Sequence, residues 1–485
     1  MEDNHQEKEV SSMFEELMER VKYYRKLGIN PLSLATGCAV KVDLVRVVYP
    51  ALRELRKVLE ERNFRIAPRE DADIFRKTEE GFEIHRRIYR LGSKTDVDPG
   101  DIRQIGPCRA ITVIQVYQRY ADDPKRFAEL VGPVYEKLSE SNTPIHLGKG
   151  HSIITPFEED QFALFDFIKP KGRVVEGFVA ANNDTIHIID PMEEPGDYRQ
   201  VSGALSNTLN DLFVLGVYED LKIAPVVTAP EEELLDKMFK NVEVYARKIG
   251  AEIINLDQPT RGRLLLGATV VGTSKKHPPT FYDRVEVGAK LIATRPFGEL
   301  APINVYLASI IENSILDELE ERGIGVEELE KLKEDAVNRI ATPNIEAARV
   351  INKYLPQDEE EFKRDEHIVA TTDVTGPGIY VVWELAELMH ARIKLDKIPL
   401  LYPRLSEYAT QTYIIPNATA GTNGAFIIVA PDNIVEDIVR DLKAKNLNPV
   451  VFGEVVGRGE PGVEAPKELA KYVADSKILQ RFKLR

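Results

Sequence analysis

Short strand-like runs alternate with long helix-period segments over the last two thirds of the chain, and this alternation constrains the fold most. The strand-like runs include FALFDFI, RVVEGFVAA and TIHIID after about residue 151, and RLLLGATVVG and FIIVAP further on. GALSNTLNDLFVLG and IVEDIVRDLKAKN lie between such runs and carry apolar residues at helical spacing. Together they predict an α+β fold. Because 485 residues exceed what one ordinary core accommodates, we expect at least two domains.

Four segments are predicted along the chain. Residues 1–43 begin with an amphipathic helix, SSMFEELMERVKYYRKL, that ends at Gly28 and leads into a loop. Residues 44–150 are interpreted as an inserted helical module, since EEGFEIHRRIYRL and CRAITVIQVYQRYA carry apolar residues three and four positions apart. Residues 151–285 and 286–485 are predicted to form two α+β domains.

Composition excludes several classes of function. The formal net charge of −15 gives no electrostatic reason to bind nucleic acid or an anionic membrane. No apolar run reaches the roughly 18 residues that span a bilayer, and the N-terminal MEDNHQEKEV does not resemble a signal peptide. Two cysteines, Cys38 and Cys108, are too few for a disulfide framework. We therefore expect a cytoplasmic protein whose thiols stay reduced.

Four aspartates lie next to predicted strands or in a predicted helix. Asp190 ends the run TIHIID, Asp211 lies in the helical segment SNTLND, Asp373 follows HIVATT, and Asp160 lies in FEEDQF. Carboxylates at strand ends can converge on Mg²⁺, which prefers oxygen ligands and bridges carboxylates to nucleotide phosphates. A single aspartate is more often a cap of a turn or helix. The set, rather than any member, indicates a metal site.

Known nucleotide-binding signatures give no further evidence for a nucleotide site. The chain has no G-x-x-x-x-G-K-[ST] segment, which excludes a P-loop. Its single G-x-G-x-x-G string, from Gly457 to Gly462, contains Pro461, which breaks the helix that should receive a pyrophosphate. We interpret that string as a loop.

Four short motifs occur in a fixed order. They are Gly37-Cys38-Ala39-Val40-Lys41, then Asp190 followed by the helical segment 206–216, then 294–298 (TRPFG), then 372–378 (TDVTGPG). In this order they resemble the motifs of selenophosphate synthetases, within the aminoimidazole ribonucleotide synthetase superfamily. Two family segments are altered: D-D-A-A-V becomes Asp160-Gln161-Phe162-Ala163-Leu164, and G-G-H becomes Ile254-Asn255-Leu256-Asp257. The sequence is identified as a divergent relative with a helical insert at 44–150.

The resemblance implies a two-domain α+β architecture and a homodimer that uses ATP and Mg²⁺. It assigns catalysis to Cys38, which would handle the chalcogen, and to Lys41, which would stabilise phosphate charge. It places the nucleotide on Lys41, Asp160, Asp190, Asn207 and Asp211. It places the metal on Asp160, Asp190, Asp211 and Asp373. Chemically, a nearby ammonium favours the thiolate of Cys38 and can neutralise developing phosphoryl charge.

The implied reaction converts ATP, selenide and water to selenophosphate, AMP and phosphate. Three alternatives stay open. The same chemistry could act on another small-molecule acceptor, such as sulfide or a small amide. The chain could bind nucleotide without turnover and use it to control an assembly. Finally, residues 44–150 could form a docking surface for a protein partner that delivers selenium or sulfur.

Overall fold

The structure is a computed structural model. It describes residues 3–29 and 31, five short strands between residues 74 and 156, and residues 178–485 apart from 187, 255–259 and 358–359. Of the residues singled out from the sequence, Cys38, Lys41, Cys108 and Asp160 lie outside this described part. Among the described helices, none is long and apolar enough to cross a membrane.

The first sheet has nine strands in the order β3-β2-β1-β4-β5-β6-β9-β7-β8. Its strands are β1 Ile74–Thr78, β2 Gly81–Ile84, β3 Arg87–Tyr89, β4 Ile145–Leu147, β5 Ile153–Pro156, β6 Phe178–Ile186, β7 Glu219–Pro225, β8 Glu252–Ile253 and β9 Leu266–Ser274. The longest antiparallel pairing joins β6 to β9, from Phe178 opposite Ser274 to Ile186 opposite Leu266. This pair carries the polar residues of the candidate site.

The helical interpretation of EEGFEIHRRIYRL is wrong. Gly81–Ile84 and Arg87–Tyr89 are strands that pair antiparallel with each other, and the first of them also pairs with β1. The i,i+4 spacing of Ile84 and Ile88 imitates a helix, but Phe82 and Ile84 also alternate with Glu83 at the strand period of two. Strands β1 to β4 all fall within 44–150 and belong to the first sheet. The boundaries of the four segments stay predictions.

The second sheet has seven strands in the order β11-β13-β10-β14-β12-β15-β16. Its strands are β10 Lys290–Ala293, β11 Ala370–Asp373, β12 Ala391–Leu395, β13 Phe426–Ala430, β14 Val450–Arg458, β15 Gly462–Ala465 and β16 Phe482–Leu484. The strand-like runs predicted at HIVATT and FIIVAP correspond to β11 and β13, which pair antiparallel. This pairing places Asp373, the last residue of β11, opposite Phe426 at the start of β13.

The described helices surround these sheets. They are α1 Asp3–Lys26, α2 Tyr198–Phe213, α3 Glu232–Ile249, α4 Leu300–Ile311, α5 Ser314–Glu321, α6 Val326–Ile340, α7 Ile345–Lys353, α8 Tyr380–Leu388, α9 Pro403–Gln411, α10 Asp432–Ala444 and α11 Ser476–Leu479. The helices predicted at the N-terminus, at GALSNTLNDLFVLG and at IVEDIVRDLKAKN are confirmed. Helices α5 and α6 are separate because Gly323 adopts a left-handed φ of 72° between them.

One apolar core joins the two sheets. Leu209 and Phe213 of α2, Val270 of β9, Ile428 of β13 and Ile438 of α10 all belong to it and are fully buried. A second cluster packs α8 against the opposite face of the second sheet. Two sheets with covering helices confirm the predicted α+β class. The shared core places α2 between the sheets, where it can carry side chains to both.

Candidate functional site

Two carboxylates and two amides face each other where β6 meets α2. Asn182 and Asp184 are two residues apart on β6 and therefore share one face, while Asn207 and Asp211 are one turn apart on α2. Asn182 donates from Nδ2 to Asp211 Oδ2 at 2.9 Å, and Asn207 donates from Nδ2 to Asp184 Oδ2 at 2.7 Å. Each carboxylate is thus oriented by an amide on the other element.

Helix α2 also reaches the second sheet. Asn210 Nδ2 lies 3.4 Å from Asp373 Oδ2 and 3.3 Å from Thr375 Oγ1. Asp373 is buried at the end of β11, and Thr375 Oγ1 accepts from the Gly424 backbone N–H at 3.1 Å. Asp373 is therefore joined to the β6 contacts through neighbouring residues of α2. We call the set Asn182, Asp184, Asn207, Asn210, Asp211 and Asp373 the polar seam.

The turn after Asp373 depends on glycine. Gly376 and Gly378 have φ of 75° and 59°, values that favour glycine. A Cβ added at Gly378 would overlap Thr419 Oγ1, and one added at Gly424 would overlap the Val374 carbonyl. The segment 372–378 and the loop 417–424 consequently pack backbone to backbone beside Asp373.

The segment 294–298 supports this loop from the other side. Arg295 and Glu299 form a buried ion pair, and Arg295 also donates from Nη2 to the Asn423 carbonyl at 2.7 Å. The Gly298 backbone N–H donates to Glu299 Oε2 at 3.1 Å. The charge of Arg295 is compensated by Glu299. We infer that this ion pair holds the 417–424 loop in place.

Asp190 occupies different surroundings from the polar seam. Strand β6 ends at Ile186, so the predicted strand end at Asp190 is displaced by four residues. The buried Asp190 carboxylate accepts from Lys333 Nζ at 2.9 Å and from the Met192 backbone N–H at 2.9 Å. Burial opposes the charge on Lys333, but Asp190 and Glu334 together raise its pKa above the ordinary value. A lysine ammonium therefore compensates the charge of Asp190.

A buried acid lies next to this ion pair. Glu193 pairs with Arg199, whose other nitrogen pairs with Glu334. Burial raises the pKa of Glu193 to about 7, Arg199 opposes that shift, and Asp190 adds to it. Helix α1 closes the cluster, since Tyr24 donates to the Glu193 carbonyl at 2.6 Å. A cavity of about 350 Å³ lies beside these residues and is lined in part by Arg20, Tyr198 and Arg199.

The polar seam supplies oxygen donors of the type that a hard divalent cation binds. Within the described residues, its three carboxylates do not form a group whose oxygens all lie within 4.8 Å of one another. Asp184, Asp211 and Asp373 supply carboxylates, the ligands Mg²⁺ prefers. In addition, Asn182 Oδ1 is buried and has no hydrogen-bond partner in the described part of the chain. Because nearly all buried polar atoms in proteins are paired, this oxygen is an acceptor that a cation or water could use.

A second acidic cluster does not fit a metal. Glu360, Glu366 and His367 could bring three ligand atoms within 4.8 Å of one another. Lys363 Nζ already lies 2.9 Å from Glu360 and 3.1 Å from Glu366. His367 Nδ1 accepts from the Lys363 backbone N–H, which places the proton of the neutral ring on Nε2. We assign no metal to this cluster.

The sequence-derived site residues divide into three groups. Asn207, Asp211 and Asp373 are brought together in the polar seam, whereas Asp190 is held by Lys333. Cys38, Lys41 and Asp160 lie outside the described residues, and their roles stay predictions. Sequence reasoning missed Asn182, Asp184 and Asn210. The run Asn182-Asn183-Asp184 inside a strand was an available signal, because such residues are depleted in strands.

No family model matches the chain, and no curated protein matches it. Among solved structures, protein tt0281 of Thermus thermophilus is 17% identical, with 59% of this chain and 85% of that chain covered and a TM-score of 0.43. E. coli HypE, a hydrogenase maturation protein, is 18% identical over 59% and 82%, with a TM-score of 0.42. Thiamine-monophosphate kinase of Stenotrophomonas maltophilia is 13% identical over 67% and 89%, with a TM-score of 0.43. At such TM-scores the likeness carries no further argument, and the α+β class rests on the chain's own sheets and helices.

Proposed function

We propose that the chain binds Mg²⁺–ATP at the polar seam and catalyses phosphoryl transfer to a small acceptor. The observation that supports this most is the crossed pairing of Asn182 with Asp211 and Asn207 with Asp184. Two carboxylates on neighbouring elements, each oriented by an amide, are a suitable arrangement for a hard cation. Asp373 adds a third carboxylate from the second sheet.

In this proposal Asp184, Asp211 and Asp373 hold the metal, with the Asn182 amide oxygen as a further donor. The cation would neutralise charge on the phosphates during transfer. Asn207 and Asn210 orient the carboxylates, because each amide donates toward one of them. Asp190 is not included: a buried ammonium compensates its charge, and a divalent ion there would first have to displace Lys333.

The finer assignment follows the sequence motifs. We propose selenophosphate synthetase-like chemistry. The bond between the γ-phosphorus and the β,γ-bridging oxygen breaks while the acceptor bonds to the γ-phosphorus, which leaves ADP, and water then hydrolyses the β-phosphoryl group of that ADP to give AMP and phosphate. Cys38 would handle the acceptor, and Lys41 would neutralise phosphate charge. Asp160 would add a ligand to the metal. Two alternatives are tested beside this assignment. The acceptor could be sulfide or a small amide, or the chain could bind nucleotide without turnover.

The homodimer that the resemblance implies stays a proposal. The protein partner proposed for residues 44–150 would have to bind a segment whose described strands extend the first sheet.

Phosphorus NMR tests the proposal directly. The protein is incubated with ATP and Mg²⁺, alone and with selenide or sulfide, and the phosphorus products are identified. Acceptor-dependent formation of AMP, phosphate and a new phosphorus–chalcogen resonance supports the full assignment. ATP consumption only with another acceptor supports the transfer and corrects the substrate. Binding of Mg²⁺–ATP without any turnover would show a nucleotide-binding protein instead.

A further inference from the structure

Asn423 is hydrogen-bonded to several segments that are distant from it along the chain. Its side chain is fully buried, and its φ of 48° is a left-handed conformation that asparagine adopts more readily than most residues. Its backbone N–H donates to Asn207 Oδ1 at 3.1 Å. Its remaining partners are the carbonyls of Ile340 (2.8 Å) and Thr342 (2.7 Å), Asn344 Nδ2 (3.2 Å) and Arg295 Nη2 (2.7 Å).

The bond to Asn207 fixes which end of that amide points at Asp184. Because Asn207 Oδ1 accepts from the backbone of Asn423, its Nδ2 must turn the other way, toward Asp184 Oδ2. A rotated Asn207 amide would place oxygen against carboxylate oxygen and nitrogen against N–H. The main chain of Asn423 thus sets the orientation of one carboxylate of the polar seam.

The side chain of Asn423 acts on another carboxylate, Asp373, through Asn344. Asn344 Nδ2 donates to Asn210 Oδ1 at 2.8 Å, and it also lies 3.0 Å from the Gly424 carbonyl and 3.2 Å from Asn423 Oδ1. With its oxygen engaged, Asn210 presents Nδ2 to Asp373 and Thr375. Since Asn423 Nδ2 is held by two carbonyls, its Oδ1 is the end that faces Asn344.

We propose that Asn423 is a positioning residue that orients Asp184 through its backbone and Asp373 through its side chain. It acts on both carboxylates through the amides of other asparagines. This inference rests on the proposed function, because the two carboxylates matter to a ligand only if the polar seam binds Mg²⁺–ATP. It adds a residue from a loop that none of the sequence motifs contains.

Asn423→Gly separates the two effects, since glycine tolerates the left-handed backbone and keeps the N–H to Asn207. We expect Mg²⁺–ATP, titrated calorimetrically into the full chain, to bind this variant about 10- to 100-fold more weakly, as for loss of groups that orient metal ligands. Asn344→Ala should lose a similar factor, and the double variant little more, because both break one path. Asn446→Gly is the matched control: Asn446 is exposed with φ of 59°, and its replacement should leave affinity unchanged.

The outcomes distinguish this inference from the proposed function. If the unaltered protein does not bind Mg²⁺–ATP, the proposed function fails and the inference fails with it. If the unaltered protein binds and Asn423→Gly binds equally well while remaining folded, only the inference is overturned. Fully additive losses in Asn423→Gly and Asn344→Ala would also overturn it, because they would show two independent structural effects. Circular dichroism melting of each variant verifies that the folded state is being compared.

Discussion

Asn207 on α2 donates its amide hydrogen to Asp184 on β6 across a distance of 2.7 Å, while its oxygen accepts from the backbone of Asn423. One side chain thereby links the first sheet to a loop of the second sheet. Both of its ends are engaged, so its amide has a single favourable orientation. The candidate site therefore depends on the hydrogen bond from the Asn423 backbone to Asn207, which joins residues 216 positions apart.

Replacing Asn207 with alanine should weaken both ligand binding and folding. Asp184 and the Asn423 N–H would each lose a buried partner, which typically costs about 1–3 kcal/mol of stability. Mg²⁺–ATP affinity should fall about 10- to 100-fold, because Asp184 is no longer oriented. Urea unfolding and calorimetry measure the two effects. Asn433→Ala, which removes an exposed side chain that bonds the Asp365 carbonyl, is the control and should change neither quantity appreciably.

Lys333→Met tests the separate role of Asp190. The substitution leaves a buried carboxylate without its counter-charge, and breaking a buried pair in this way typically costs about 3–5 kcal/mol. Combining it with Asp190→Asn should recover part of that loss, since no buried charge is then unpaired. Chemical denaturation of the single and double variants provides the measurement. If Mg²⁺ instead restored the stability of Lys333→Met, Asp190 would be a metal ligand as the sequence suggested.

The pH dependence of stability should carry a contribution from Glu193. Its folded-state pKa is raised to about 7, so the folded protein binds more protons than the unfolded chain between the ordinary pKa of 4.5 and about 7. Stability from this group is therefore present at low pH and is lost as pH rises through that window. In Glu193→Gln, the midpoint of urea unfolding should vary less with pH between about pH 5 and 7 than it does in the unaltered protein. An identical pH profile in both proteins would contradict the assignment.

Gly378→Ala should be much more disruptive than Gly250→Ala. Both glycines have positive φ, 59° and 74°, so both substitutions strain the backbone. A Cβ at Gly378 would overlap Thr419, whereas one at Gly250 meets nothing within 4 Å. We expect a cost of about 1 kcal/mol at Gly250 and at least about 3 kcal/mol at Gly378. Similar unfolding midpoints for the two variants would show that the loop beside Asp373 can move aside.

Local sequence patterns predicted much of the fold and part of the site. The helix at GALSNTLNDLFVLG is predicted from its period, and Asn207 and Asp211, which the resemblance assigns to the nucleotide, both lie on it and in the polar seam. The end of β6 was misplaced because the apolar residues of TIHIID continue beyond Ile186. Asp190 was consequently selected and Asp184 overlooked. The partner that decides the role of Asp190, Lys333, lies 143 positions away, and no local pattern reveals such a contact.

The strands within 44–150 show the same limit. Arg87–Tyr89 is too short for its period to separate a strand from a helix, and its pairing with β2 becomes evident only in the sheet. The asparagines at 344 and 423 were missed because each is an ordinary turn residue in the sequence. Their role depends on hydrogen bonds between distant segments, which cannot be read from the sequence.

Calorimetric titration of ATP with and without Mg²⁺ tests the central claim most directly. The unaltered protein, Asp184→Asn, Asp211→Asn and Asp373→Asn are compared with Asp283→Asn, a control at an aspartate whose side chain is 76% exposed. We predict that ATP binding to the unaltered protein and the control depends on Mg²⁺, and that each seam variant loses that dependence. Equal affinity with and without Mg²⁺ in the unaltered protein, or unchanged Mg²⁺ dependence in all three seam variants, would contradict the account.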